Sequence, residues 1–222
     1  MSTLSSAMAK ITKNYCAIYL VRHGETEWNA QGRIQGHTDS PLTATGEKQA
    51  RDLAKKLTQI HFDAIFSSDL LRAQRTAQIV ALNKKLAVTT SQALREVKFG
   101  QFEGKTGDEF RRELKDLLDQ RDQLSGTDRF RFKLAPDIES DEELVSRLIT
   151  FLREIAVAYL NKTVLMVSHG GPIQKLLIHL GFASYTELPH NSIDNTAYVK
   201  LESDGIDFFI RETFGIHKVV AK

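Results

Sequence analysis

Tyr19-Leu20-Val21-Arg22-His23-Gly24 decides how this chain is read. A short apolar run ends in Arg-His-Gly, and much later Leu165-Met166-Val167-Ser168-His169-Gly170 repeats the arrangement. Each run has the length and composition of a buried strand, and each His-Gly falls where that strand must break into a loop. In open parallel sheets, ligands bind beyond the carboxyl ends of the strands, so both histidines could point into one crevice. Two imidazoles there, with an arginine adjacent, suit chemistry on an anion.

Outward from these runs the periodicity alternates between strand and helix. Cys16 to Val21 reads as a strand. From Thr43 onward, Ala50, Leu53, Ala54, Leu57 and Ile60 recur at helical spacing, with charge on the other face. Asp63 to Ser67 reads as a strand. Ser68 or Asp69 can cap the helix that follows, whose buried stripe would be Leu70, Ala73, Ala77 and Val80. Leu86 to Thr90 is another strand. From Thr106 to about Leu160 the chain is mostly helical, interrupted by a charged linker near Ser125 to Pro136. Leu144, Leu148, Phe151, Leu152, Ile155 and Tyr159 form a long stripe there. After a strand at Thr163 to Val167, Gly171-Pro172 opens a helix, with proline at its first position. Two last strands, Ala197 to Leu201 and Ile206 to Arg211, flank Ser203-Asp204-Gly205, which suits a tight hairpin turn.

This order predicts an α/β fold: a three-layer sandwich with a mostly parallel sheet and helices on both faces. Residues 15–222 are expected to form a single domain, with 106–160 as a helical insertion lying over the active site. Ser/Thr/Lys-rich residues 1–14 lack the apolar core of a secretory signal and read as a disordered start, an organelle-targeting piece being the weaker reading.

The bulk properties fit. A chain of 222 residues can bury a real core, and 41% hydrophobic with 26% charged residues is ordinary for a globular protein. A net charge of +2 makes no case for nucleic acid or membrane as a partner. No apolar stretch is long enough to cross a bilayer. The one cysteine, Cys16, excludes an internal disulfide framework and suits a reducing compartment, so a cytoplasmic location is expected.

A phosphate monoester is dianionic near neutral pH, and its transfer needs charge neutralisation, an in-line nucleophile and an acid for the leaving group. Arg22 precedes His23 at a strand end, and Arg72 lies one turn into the helix after Ser67-Ser68-Asp69. Two guanidinium forks could converge on one phosphate. Neutral His23 is a candidate nucleophile, and His169 is placed to donate to a phosphoryl oxygen. Glu96, ahead of Phe99-Gly100, could carry the proton to the leaving oxygen. A metal site of His23, His169 and Glu96 is the lesser reading, since no close cluster anchors one. Arg72 as a surface residue paired with Asp69, and Asn29 as a turn residue, are the bland alternatives.

These residues match a family. Leu20-Val21-Arg22-His23-Gly24-Glu25-Thr26-Glu27-Trp28-Asn29 closely resembles the opening motif of the histidine phosphatase superfamily, the phosphoglycerate-mutase-like proteins. The likeness continues through Gly32-Arg33-Ile34-Gln35-Gly36 and Asp39-Ser40-Pro41-Leu42-Thr43. It resumes at Ser67 to Ala73, at Leu94-Arg95-Glu96 with Phe99-Gly100 and Glu103-Gly104, and at Ser168-His169-Gly170-Gly171. The resemblance implies that His23 is the phosphorylated nucleophile. Arg22, Arg72 and His169 would complete the phosphate pocket, and Glu96 would be the proton donor and then the base. Asn29 would hydrogen-bond the phosphoryl group, while Gln35-Gly36 and Gly170 would line the bound phosphate. No metal or organic cofactor is implied, and the partner would be a small phosphorylated metabolite.

Mutases and phosphatases share this site. The interval from Glu96 to His169 looks short for a mutase, and Gln35 and Gly171 replace the mutases' usual threonine and asparagine. All three departures favour a phosphatase. Arg111-Arg112 could still serve the mutase role, and Gln174 departs from the arginine common in phosphatases. A phospho-ligand binding module without turnover is a third reading. Arg129-Phe130-Arg131-Phe132-Lys133 reads as an edge or linker segment with phenylalanines down and charges out. A nucleic-acid contact, or a cation meeting the substrate's distal acid group from the lid, are its sharper alternatives. Ala197 to Arg211 could offer an edge strand to a second copy, giving a homodimer.

Overall fold

The two apolar runs that end in His-Gly lie side by side in parallel, with Val21 opposite Val167 and Arg22 opposite Ser168. The computed structural model describes residues 14–82 and 84–219. The disordered start expected for residues 1–14 falls, up to residue 13, outside them. In chain order the elements are β1 (Cys16–Arg22), α1 (Glu27–Ala30), α2 (Ala44–Lys56), β2 (Ala64–Ser68), α3 (Leu71–Leu82) and β3 (Val88–Ser91). Then come α4 (Gly107–Glu113), α5 (Lys115–Gln123), α6 (Gly126–Arg131), α7 (Asp141–Ala158), β4 (Thr163–Ser168), α8 (Gly170–His179), β5 (Ile193–Ser203) and β6 (Phe208–Ile216).

The sheet order is β3-β2-β4-β1-β5-β6. β3, β2, β4 and β1 are parallel, and β5 runs antiparallel to both β1 and β6. Alternation explains the layers. Ile18, Leu20, Val164 and Met166 face one way and meet Leu148, Leu152 and Ala156 of α7 and Ile173, Leu176 and Leu177 of α8. Tyr19, Val21, Leu165 and Val167 face the other way and meet Leu53 and Ala54 of α2 and Ala73, Ala77 and Val80 of α3. This is the three-layer α/β sandwich that the sequence predicts. Among the described residues no helix is long and apolar enough to cross a membrane.

The structure departs from the sequence reading in five places. Within 106–160, α4 and α5 stand apart from the sheet, gathered around Phe102, Leu114 and Ile138, while α6 packs against α7 and α8. α7 belongs to the central sandwich, because its stripe meets the sheet. The Arg129–Lys133 stretch is not an extended segment: α6 takes most of it, stacking Phe130 on His179 and the Arg129 guanidinium on Tyr185. Pro172 is the third residue of α8 rather than the first, where its missing N–H still falls among the orphan donors of the first turn. β5 begins at Ile193, earlier than expected, because a register shift before Tyr198 admits polar Asp194 and Asn195. Ile206 lies in the turn, 73% exposed, and β6, which forms one edge of the sheet, begins at Phe208.

Thr43 caps α2 by accepting from Gly46 N at 3.0 Å. That cap drives the helix start against the loop after β1. A Cβ at Gly46 would stand 2.0 Å from Glu25 O, and one at Gly24 would stand 2.5 Å from Gly46 O. Gly46→Ala should therefore lower stability by about 1–3 kcal/mol, since backbone rather than a flexible side chain must move. Chemical denaturation measures it, and an unchanged midpoint would show that the contact is not this tight.

Candidate active site

His23 and His169 follow the last residues of adjacent strands, and their ring centroids are 5.1 Å apart. His23 N donates to Ser168 O at 3.0 Å, so the ladder carries one residue past β1 and fixes where the nucleophile candidate starts. Both rings are buried, at 2% and 0% exposure.

Their partners assign opposite tautomers. His23 Nδ1 lies 2.7 Å from Gly24 O, which can only accept, so Nδ1 carries the proton and Nε2 keeps a lone pair. Arg72 Nε donates to His169 Nδ1 at 3.2 Å, so the His169 proton sits on Nε2. That Nε2 is buried with no partner among the described residues. Burial first, then the Arg72 and Arg22 charges, hold the His23 imidazole well below its usual pKa. Burial, Arg72 and His23 do the same for His169. Both rings are neutral near pH 7.

Arg72 does not pair with Asp69. It is 1% exposed and donates to Gly36 O at 2.7 Å, Thr38 O at 2.8 Å and Asp39 Oδ1 at 3.1 Å. Asp69 instead takes a two-point bond from Arg95. Asp39 Oδ2 also accepts from Leu71 N at 3.0 Å, so the cap of α3 comes from a distant loop rather than from Asp69; Ser68 Oγ accepts from Leu70 N. Arg22 donates through Nη1 to Ile193 O, while its buried Nε has no partner among the described residues. That Nε lies 3.4 Å from where a Cβ on Gly170 would stand, at the start of α8. Buried Gln35 has an Oε1 with no partner among the described residues, and Gly36, with φ +54°, turns its carbonyl to Arg72.

Glu96 reaches the same end of the sheet. Its Oε1 accepts from Val97 N at 2.8 Å and its Oε2 from Gly171 N at 3.3 Å. A side chain at Gly171 would collide with Oε1 at 2.2 Å. Asn29 takes the turn role: it completes a capping box with Thr26 on α1, and its Oδ1 also accepts from Asn195 Nδ2 at 3.4 Å. It shares with Arg22 the wall of a polar cavity of about 490 Å³. Arg111 and Arg112 are exposed on α4, and Arg111 pairs with Asp108. Gln174 donates to Leu188 O at 2.7 Å.

The sequence places Glu103 in a matching motif but gives it no role. Its carboxylate accepts from His37 N, Thr38 N, Thr38 Oγ1 and Phe99 N, joining the loop around Gly36 to the loop that carries Glu96. Burial pushes its pKa up, but these hydrogen bonds together hold it below the usual carboxylate value. Among the described residues, no group of three His, Cys, Asp or Glu could hold a metal ion. The centre instead presents two guanidinium groups, an imidazole N–H and an imidazole lone pair. That set can receive a tetrahedral anion and attack it.

Comparison with known proteins agrees. The family model described as histidine phosphatase superfamily (branch 1) matches residues 18–214. The chain is 38% identical over 164 residues to the "Uncharacterized phosphatase PhoE" of Bacillus subtilis, covering 74% of this chain and 77% of that protein. It is 40% identical over 153 residues to the "Probable phosphoglycerate mutase GpmB" of Salmonella arizonae, covering 69% of each. The crystal structure of the phosphoserine phosphatase of Entamoeba histolytica with 3-phosphoglyceric acid superposes with a TM-score of 0.73 at 30% identity, covering 89% of this chain and 96% of that one.

The buried imidazoles set a pH dependence. In the unfolded chain they titrate near 6.5. The fold holds them neutral, so on acidification the unfolded state takes up protons first. Stability present above that pH is lost as the pH falls below it, by up to about 1.4 kcal/mol per pH unit for each ring. Denaturation midpoints measured from pH 7.5 to 5.0 should fall, with a shallower slope in His169→Gln. An equal slope in that variant would mean that His169 protonates freely in the fold.

Proposed function

The chain belongs to the histidine phosphatase superfamily, and from that premise we propose that it hydrolyses small phosphomonoesters through a phosphohistidine at His23. The observation that carries the reading is the pair of opposed tautomers on neighbouring rings: a lone pair on His23 Nε2, and on His169 a buried Nε2–H with no partner among the described residues.

The steps follow from the donors. Arg22 Nε–H, the remaining Arg72 N–H and His169 Nε2–H bind the non-bridging oxygens and take up their charge. Gly170 N–H at the start of α8 and the Asn29 amide add donors, and Gln35-Gly36 walls the pocket. His23 Nε2 attacks phosphorus as the ester P–O bond breaks. The leaving oxygen takes the proton of the Glu96 carboxyl and departs as a neutral alcohol. The Nδ1–H bond to Gly24 O spreads the positive charge of the modified ring. Glu96, now a carboxylate, takes a proton from water as the water oxygen attacks phosphorus. The P–N bond returns its electron pair to Nε2, and orthophosphate leaves.

Likeness to a named mutase supports a second reading, phosphoglycerate mutase. The exposure of Arg111 and Arg112 and the pairing of Arg111 with Asp108 favour the phosphatase.

One assay decides. Purified protein should release phosphate from a panel of phosphomonoesters, and His23→Ala should lower the rate by roughly 10³-fold or more. An unchanged rate in that variant would refute the mechanism. Primer-dependent interconversion of 3- and 2-phosphoglycerate with little release would establish the mutase. Vanadate binding without turnover of any ester would leave a binding module.

A further inference from the structure

We infer that His37 and Arg147 are positioning residues that aim the Glu96 carboxyl at the leaving oxygen; the inference rests on the acid role proposed above. Residues 95–99 belong to neither helix nor strand, so no ladder fixes their peptide planes. A proton donor nevertheless has to be held to within about 0.5 Å of its productive place. Side chains take over that task here.

The Glu96 carbonyl accepts from His37 Nε2 at 3.0 Å and from Arg147 Nη2 at 2.8 Å. A carbonyl oxygen has two lone pairs, and both are taken. The N–H of the same peptide unit, on Val97, donates to Glu96 Oε1 at 2.8 Å. One peptide group is thus gripped at its oxygen by two donors and grips the catalytic carboxylate with its nitrogen. Donors on the oxygen polarise that peptide and strengthen its N–H bond.

Both clamps are themselves fixed. Arg147, on α7, forks onto Glu139 at 2.7 and 3.0 Å and donates to Ala93 O at 2.8 Å. Glu139 closes the loop from its own backbone: its N–H donates to Lys98 O at 3.0 Å. His37 is anchored by its N–H to Glu103 Oε1 at 3.0 Å, the same oxygen that accepts from Phe99 N. One clamp comes from the loop that cradles Arg72 and the other from the helix on the sheet. The acid is thereby registered to both the phosphate pocket and the core.

Leaving-group dependence tests this. A p-nitrophenolate departs without a proton, whereas an alkoxide needs one. In His37→Leu, kcat/KM for glycerol phosphate should fall by roughly 10- to 100-fold while that for p-nitrophenyl phosphate changes by less than about 3-fold. His37→Gln keeps an N–H donor and should recover most of the loss. Arg147→Met should repeat the pattern, and the His37 variants carry the test if it does not fold. Glu96→Gln is the reference and should show the same selectivity, enlarged. Equal losses on both esters in His37→Leu, or no loss, would overturn the inference while a selective Glu96→Gln leaves the acid role standing. A Glu96→Gln variant with no selectivity would overturn the acid role and this inference with it.

Discussion

The Arg72 guanidinium is the constraint on which the rest of the site depends. A charge that is 1% exposed must be met by polar partners on every side, because an unpaired buried cation is far more costly than a paired one. Arg72 meets Gly36 O, Thr38 O, Asp39 Oδ1 and His169 Nδ1. Each bond has a consequence beyond itself. The two carbonyls fold residues 36–38 into a cradle. Asp39 turns its second oxygen to Leu71 N and starts α3. His169 is driven into the tautomer that offers a proton to the pocket. Only one of these partners is negative, and Arg22 stands nearby. Burial first, and then the Arg72 charge, depresses both imidazoles.

How much of this could be read in the sequence depended on whether a signal was local. β1 and β4 were legible because a strand buried on both faces shows as an unbroken apolar run ending abruptly in His-Gly. α2 was legible from its stripe and its Thr43 cap. α7 showed a stripe too, but a stripe says that a face is buried and not what buries it. The stripe is as compatible with a lid as with the sheet on which the helix packs. In α6 the alternation of base and aromatic imitated a strand, because Arg129 and Phe130, adjacent in sequence, both find aromatic partners. The polar start of β5 was hidden by the register shift that admits it.

The site divides the same way. His23, His169, Arg22, Arg72 and Glu96 stand on the ends of strands or just beyond them, where the chemistry of their side chains announces them. His37, Glu103 and Arg147 act on backbone groups, and the partner of a backbone group leaves no mark in a sequence. Arg147 lies 51 residues from the Glu96 carbonyl that it holds, and Glu103 lies 65 from Thr38. Asp39 shows the cost of favouring the near partner: Asp69 adjoins α3, yet Arg95 claims it.

The most instructive case is the His-Gly pair itself, which occurs twice with two outcomes. After β1 the chain continues as loop, and the Gly24 carbonyl is free to turn back onto the ring of His23. After β4 the chain enters α8 at Gly170, whose carbonyl points along the helix axis toward its C-terminus and away from the ring of His169. The His169 Nδ1 therefore needs another partner, and Arg72 supplies a donor where Gly24 supplies an acceptor. One imidazole keeps a lone pair for the pocket and the other keeps a proton. The difference between a candidate nucleophile and a candidate hydrogen-bond donor is set not by the dipeptide but by whether the next turn of chain is loop or helix.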